Sequence, residues 1–142
     1  MADRARNKRR LSKSDYEALA NLRYALREFM AFSKSAAGAV DLSPQQHQAL
    51  LAIKGAPNRD HLSIGEISER LMVRHHTAVE LVGRLEKRGL IQRKSDPSDA
   101  RRVHIYLTRE ASDLIETLSH AHIQELQSIR PALENLLAGL DS

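Results

Sequence analysis

The sequence predicts a mainly α-helical protein with a small β-wing, and three observations carry that prediction. Two short amphipathic helical patterns, at 63–71 and 75–88, are separated by a turn around Val73 to His75. Two strand patterns follow at 91–94 and 103–107, joined by a loop of turn composition. Long helical patterns with apolar stripes flank this stretch at 14–35 and 109–140. Helix, turn, helix and β-hairpin, in that order, describe a winged helix-turn-helix. A DNA major groove, about 12 Å wide, admits one helix of that size, and a hairpin tip reaches the neighbouring backbone or minor groove. The expected organisation is a basic arm (1–13), a winged helix-turn-helix DNA-binding domain (41–108) and a helical dimerisation region made of 14–37 and 109–142.

The arm carries six Lys or Arg against one Asp and almost nothing apolar. It has too little to bury, so it is expected to be disordered, either as a solubilising tail or as an arm that touches DNA. Ser14 and Glu17 have the spacing of a reciprocal capping box and are expected to open the first helix, which runs to about Ser35 with Gly38 just beyond. Tyr16, Leu19, Leu22, Leu26, Phe29 and Met30 keep helical spacing there. They read as half of a dimer surface or as ordinary core, and one long helix can serve both. The helix over 42–53 is marked by its punctuation. Ser43 caps it, Pro44 takes the first turn, Gln46 completes the box and Gly55 ends it. Ala49, Leu50 and Ile53 form its buried stripe. After a polar loop over 54–60, His61 and Leu62 are candidates for a third short strand.

Ser63 and Glu66 repeat the capping-box pattern, and Ile64, Ile67 and Leu71 give the next helix one buried stripe. The second helix of the pair starts near His75 or His76 and stops at Gly89, a residue suited to a left-handed position after the last turn. Ala78, Val79, Leu81, Val82 and Leu85 share one arc of it, while His76, Thr77, Glu80, Gly83, Arg84 and Lys87 take the opposite face. In the second strand Val103, Ile105 and Leu107 alternate with His104 and Tyr106. The loop from Ser95 to Ala100 returns at Arg101 and Arg102.

Thr108 is placed to cap the last segment, where Ala111, Leu114, Ile115, Leu118, Ala121, Ile123, Leu126 and Ile129 recur at near-helical spacing. Pro131 is expected to start a separate final helix with Leu133, Leu136, Leu137 and Leu140 apolar. A winged helix cannot cover so much apolar helix, and each large side chain left in water forgoes about 1.5–3 kcal/mol. A two-fold homodimer, in which 14–35 and 109–140 of both chains interlock, is the simplest remedy.

The outer face of the second helix carries donors of the right kinds for base edges. Arg84 can bond guanine bidentately, Thr77 can meet a thymine methyl or a phosphate, and His76 can donate to a guanine edge or to a phosphate. Glu80 either accepts from cytosine or restrains Arg84 one turn on. On pattern alone this face reads equally as the solvated side of a helix. The residues from Leu42 to Ile53 (LSPQQHQALLAI), from His75 to Ile91 (HHTAVELVGRLEKRGLI) and from Asp96 to Thr108 (DPSDARRVHIYLT) closely resemble the MarR family of transcription regulators. The last run has the family's wing pattern of Asp, any residue, Arg, then a strand ending in Leu-Thr. The resemblance spans about 14–140 in layout, with its specific motifs between Leu42 and Thr108. One departure is Ala111, where the family often has Gly. The resemblance implies a dimeric, sequence-specific DNA-binding regulator, a repressor by expectation, on a pseudo-palindromic operator in double-stranded DNA. Its DNA-binding residues would be Arg74, His75, His76, Thr77, Glu80, Arg84, Lys87, Arg101 and Arg102, with Asp99 supporting the wing by holding Arg101. It also implies a small aromatic or amphipathic acid as an effector, and no cofactor.

Composition narrows the alternatives. The net charge of +4 is unevenly spread: +5 over 1–13, zero over 14–63, +3 over 64–107 and −4 over 108–142. An anionic polymer is drawn to one side of such a chain. Absence of cysteine excludes disulfides, thiolate metal sites and thiol redox sensing. The pairs His75-His76 and His120-x-His122 do not put two rings on one helix face, so no metal site is expected. There is no phosphate-binding loop or nucleophile elbow, and the carboxylates Asp96 and Asp99 fall in what reads as an exposed wing; no catalytic residue and no enzyme are expected. No apolar run approaches a membrane span, and nothing resembles a secretory leader, so a cytoplasmic protein is expected. The alternative function is a winged-helix protein-interaction module, which calls for more apolar anchors on the outer helix face.

Overall fold

The computed structural model describes residues 10–139; the readings of residues 1–9 in the arm and of Leu140 lie outside the described residues. The element order is α1 (Lys13–Gly38), α2 (Pro44–Lys54), β1 (His61–Leu62), α3 (Ile64–Leu71), α4 (His75–Lys87), β2 (Ile91–Ser95), β3 (Val103–Leu107) and α5 (Arg109–Gly139). The mainly helical class with a small antiparallel wing, and the third short strand, are as the sequence predicts.

Local hydrogen bonding explains most of the boundaries. At α2, Ser43 Oγ accepts the Gln46 amide at 3.1 Å and Gln46 Oε1 accepts the Ser43 amide at 3.0 Å. At α3, Ser63 and Glu66 exchange the same two bonds, both at 3.1 Å. Each box satisfies two amides that the first helical turn leaves without partners. The short link after α3 depends on Met72, which is left-handed at φ 56° and returns its amide to the Glu69 carbonyl. After α4, Gly89 takes the left-handed position (φ 74°) that its sequence placement predicts.

Three boundaries differ from expectation. The first helix opens two residues early: the Ser12 amide bonds Asp15 Oδ2 at 2.9 Å, and the Asp15 amide bonds Ser12 Oγ at 3.3 Å. Ser14-Asp15-Tyr16-Glu17 and Ser12-Lys13-Ser14-Asp15 overlap, and the earlier box wins because starting there adds helical bonds without losing a cap. That helix also continues to Gly38, because nothing between Ser35 and Gly38 interrupts its ladder. Pro131 does not start a new helix; it lies inside α5. Proline removes one amide, the one that would bond the Gln127 carbonyl. Gln127 is exposed, so leaving that carbonyl without its helical partner does not bury it unpaired in the core, and the good helix formers on both sides carry the helix through.

The chain divides into two compact units, Ser33–His122 and, among the described residues, 10–32 with 123–139. The division falls inside both long helices, so the winged-helix unit takes in more of each than the span 41–108. Within it, Leu50, Ile53, Leu62, Ile67, Val82, Leu85, Ile105 and Ile115 are the largest fully buried apolar side chains. The sheet has the order β1-β3-β2, all antiparallel. Alternation along β3 turns Ile105 into the core and sends His104 and Tyr106 to the other face. Thr108 ties the two ends of the wing region to the start of α5. Its hydroxyl donates to the Gly89 carbonyl at 2.8 Å and accepts the Ala111 amide at 3.3 Å. Ala111 itself is fully buried.

In the other unit, Tyr16, Leu19, Tyr24, Leu26 and Met30 on α1, with Ile123, Leu126 and Leu137 on α5, stay exposed in the single chain. Ala18, Ala25, Ile129, Ala132 and Leu136 line a groove of about 550 Å³ there.

Candidate nucleic-acid interface

Helix α4 is amphipathic in the sense required to show one polar face. Ala78, Leu81, Val82 and Leu85 are buried, while His75, His76, Glu80, Arg84 and Lys87 are exposed. Thr77 and Gly83 are half-buried at the margins. Val79 departs from its predicted place in the buried arc and is 39 % exposed. It lies about 100° around the helix from Ala78, at the edge of the arc rather than its centre. Arg74 is the extended residue before the first turn, with no side-chain cap bond, and is exposed.

Two cations of this region are already engaged by groups of the fold. Arg88 donates to the Asp41 carbonyl, and Arg93 Nε lies 3.3 Å from Glu86 Oε1. Both serve the fold. Two positive side chains project from the wing, where Arg101 is 95 % exposed and Arg102 76 %.

The wing tip is built by two aspartates. Asp99 Oδ1 accepts the Arg101 amide at 3.0 Å, and its carboxylate lies 3.6 Å from Arg101 Nε and 4.0 Å from Arg102 Nε. It therefore faces both arginines rather than Arg101 alone. Asp96 accepts the amide and hydroxyl of Ser98 at 2.8 and 2.7 Å, and these bonds hold its carboxyl below the usual range, helped by His104 and Arg102. Asp96 is not in an exposed position, as the sequence suggests for it; its side chain is 17 % exposed.

Several contacts at the base of the wing are not legible in the sequence. His104 Nε2 lies 3.4 Å from Asp96 Oδ2. Its ring stacks on His61 with centroids 4.1 Å apart and planes 15° apart, and His61 Nδ1 lies 3.3 Å from Asp60 Oδ1. Lys94 Nζ sits 5.0 Å from the Tyr106 ring centre on the same face. Arg59, which no motif marks, makes a two-point bond to the Glu66 carboxylate. That bond, with the Ser63 capping bonds, holds the Glu66 carboxyl down to about 2. A cleft of about 530 Å³ opens beside these groups, lined by Arg59, Ser63, Glu66, His75, Arg101, Arg102 and His104. Among the described residues no three His, Asp or Glu side chains gather as a metal site, and no helix is long and apolar enough to cross a membrane.

Residues 40–102 match the sequence description of the MarR family. The transcriptional regulator HosA of Escherichia coli O111:H- is 31 % identical over 75 residues, 53 % of each chain, so the chain spans about half the length of the curated relative it matches. A Staphylococcus aureus MepR variant solved bound to an oligodeoxyribonucleotide is similar with a TM-score of 0.66, at 24 % identity, over 89 % of this chain and 93 % of that one. NadR in complex with 4-hydroxyphenylacetate has a TM-score of 0.71 at 22 % identity, over 84 % of each chain. At these identities the two structures speak for the fold.

Proposed function

We propose that this chain, a member of the MarR family, is a homodimeric, sequence-specific DNA-binding transcription regulator that acts as a repressor in the cytoplasm. One observation carries the reading: a polar, cationic helix face stands beside two projecting wing arginines on a fold whose second helix suits a major groove. An interaction module would present apolar anchors, and on the outer side of α4 only Val79 departs from polarity. In the proposed complex Arg84 reads a base edge from α4, with His76, Thr77 and Glu80 around it. Arg74, His75 and Lys87 meet the backbone, and Arg101 and Arg102 clamp the adjacent backbone or minor groove under the hold of Asp99. The row of exposed apolar side chains on α1 and α5 supports the homodimer, since a soluble monomer rarely leaves so many together in water. Release by a small aromatic or amphipathic acid belongs to the same proposal, supported by the neighbour that holds 4-hydroxyphenylacetate.

The test is selection from a random duplex pool, followed by binding of variants to the selected site and its single-base changes at fixed salt. The pool should yield a pseudo-palindrome with half-site centres about 10 bp apart, or a multiple of that. Arg84→Ala should cost about 1–3 kcal/mol on that site and relax selection at one base pair per half. Arg101→Ala should weaken all sequences more evenly. Opposite behaviour of the two would reverse reader and clamp, and a pool without enrichment would sink the proposal.

A further inference from the structure

Helices α1 and α4 end in the same way, but not on the same kind of residue. After α4 the Leu90 amide returns to the Leu85 carbonyl and the Gly89 amide to the Glu86 carbonyl, both at 3.0 Å, with Gly89 left-handed. After α1 the Leu42 amide returns to the Ala37 carbonyl at 2.9 Å and the Asp41 amide to the Gly38 carbonyl at 3.1 Å, with Asp41 left-handed at φ 61°. Ala37 and Leu42 are both buried, the apolar pair that accompanies this kind of helix ending. A left-handed residue other than glycine carries a conformational cost. At Asp41 that conformation presents the carbonyl to the end of α4. Arg88, the residue that closes α4, donates to it through Nη1, and the same nitrogen lies 3.5 Å from Gln46 Oε1. Gln46 Oε1 is the atom that accepts the Ser43 amide in the capping box of α2. One guanidinium thus joins the ends of α4, α1 and α2, all within the unit Ser33–His122.

We infer that Arg88 is a positioning residue for sequence reading: it holds α4 against the α1–α2 corner and does not itself meet DNA. The inference rests on the DNA-binding reading above. Helix α4 buries Ala78, Leu81, Val82 and Leu85, and apolar attraction is non-directional, setting how deep a helix lies more than how it slides. A hydrogen bond has a preferred direction, so one at the helix end supplies what those contacts lack. Glu86 and Arg93 tie that end to β2. Arg88 ties it to α1, the helix that carries part of the proposed dimer surface. Arg84 stands one turn before Arg88, so a tilt or slide of α4 moves its guanidinium off a base edge. A bidentate bond to a base tolerates little displacement, whereas flexible cations that meet the backbone tolerate more. The Arg88 bond is exposed, so its worth lies in orientation rather than in stability.

The experiment measures the affinity of the full chain for its selected duplex and for a random-sequence duplex, by fluorescence anisotropy over a salt series. Arg88→Gln should lower the ratio of the two affinities about tenfold, the scale of one mismatched base pair, with the random duplex bound within about twofold of the unaltered protein. Both affinities come from one protein sample, so a change in folded fraction cancels in the ratio. Arg88→Lys keeps a cationic donor, which a carbonyl can accept, and should restore most of the ratio. Asp41→Asn keeps the carbonyl on a residue that tolerates the left-handed region, so its ratio should match the unaltered protein. The slope of log affinity against log salt should stay the same in Arg88→Gln. A fall of about 0.9 for each winged helix would make Arg88 a phosphate contact and overturn the inference. An unchanged ratio in Arg88→Gln, no recovery in Arg88→Lys, or a loss in Asp41→Asn equal to that in Arg88→Gln would also overturn it. Each of these leaves the DNA-binding reading standing. Failure of the unaltered protein to select any duplex overturns that reading and this inference together.

Discussion

His47 is the residue at which the core is least like a hydrocarbon. It is 1 % exposed, its Nδ1 has no hydrogen-bond partner, and its ring centre lies 4.9 Å from that of His122. His122 is better provided for: Nδ1 lies 2.6 Å from the Leu118 carbonyl, so it carries the proton, and Nε2 accepts from Ser33 Oγ at 2.9 Å. Burial, then the neighbouring imidazole, pushes the His47 pKa below its usual 6.5. The unfolded chain therefore binds a proton here that the folded chain refuses. The stability at stake is fully present above pH 6.5 and is lost as pH falls below it toward the lowered folded value. His47→Leu should remove this loss, so its melting temperature should fall less between pH 7.5 and 5.5 than that of the unaltered chain. At pH 7.5 the variant should be about 1 kcal/mol more stable, the unpartnered nitrogen being gone. Equal acid losses in both proteins would refute the assignment. Glu66 does not confuse the measurement, because a carboxyl lowered to about 2 gives up its contribution only between about pH 4.5 and 2.

At the scale of elements, what the sequence revealed was whatever a few consecutive residues decide. The boxes at Ser43 and Ser63, the left-handed Gly89 and the alternating β3 are all closed within one turn or one strand, so their patterns are complete on the page. Where two local patterns overlap, as at Ser12 and Ser14, spacing alone could not choose between them. Arg59 with Glu66, and His61 with His104, were hidden for a different reason. Each pair joins separate elements, and no periodicity records which side chains meet across them. His47 had a trace, since it sits one turn before Leu50 on the buried stripe of α2, but its polarity masked it. Val79 and Pro131 misled because arcs have edges and because proline removes one bond rather than a helix. The link after α3 offers a check on local control. Met72 is left-handed and 91 % exposed, so its side chain contributes little packing to offset the conformational cost. Met72→Asn should raise stability by about 0.5 kcal/mol in thermal or denaturant melts, with DNA affinity unchanged. A lower melting temperature would mean that the turn depends on the methionine itself.

At the scale of the molecule, a single chain leaves unfinished business on α1 and α5. The apolar row from Tyr16 to Met30 and from Ile123 to Leu137 calls for a second copy, and sedimentation at micromolar concentration should find a dimer. Leu126→Asp should abolish that dimer and lower thermal stability with it, since such dimers often lack a stable separate protomer. A well-folded monomer of the unaltered chain would remove the main support for two-fold DNA recognition. The proline inside α5 bears on the same surface. Pro131 leaves the stretch that follows it joined to the rest of α5 by one main-chain bond fewer. What keeps that stretch wound therefore falls more heavily on whatever packs against Leu133, Leu136 and Leu137.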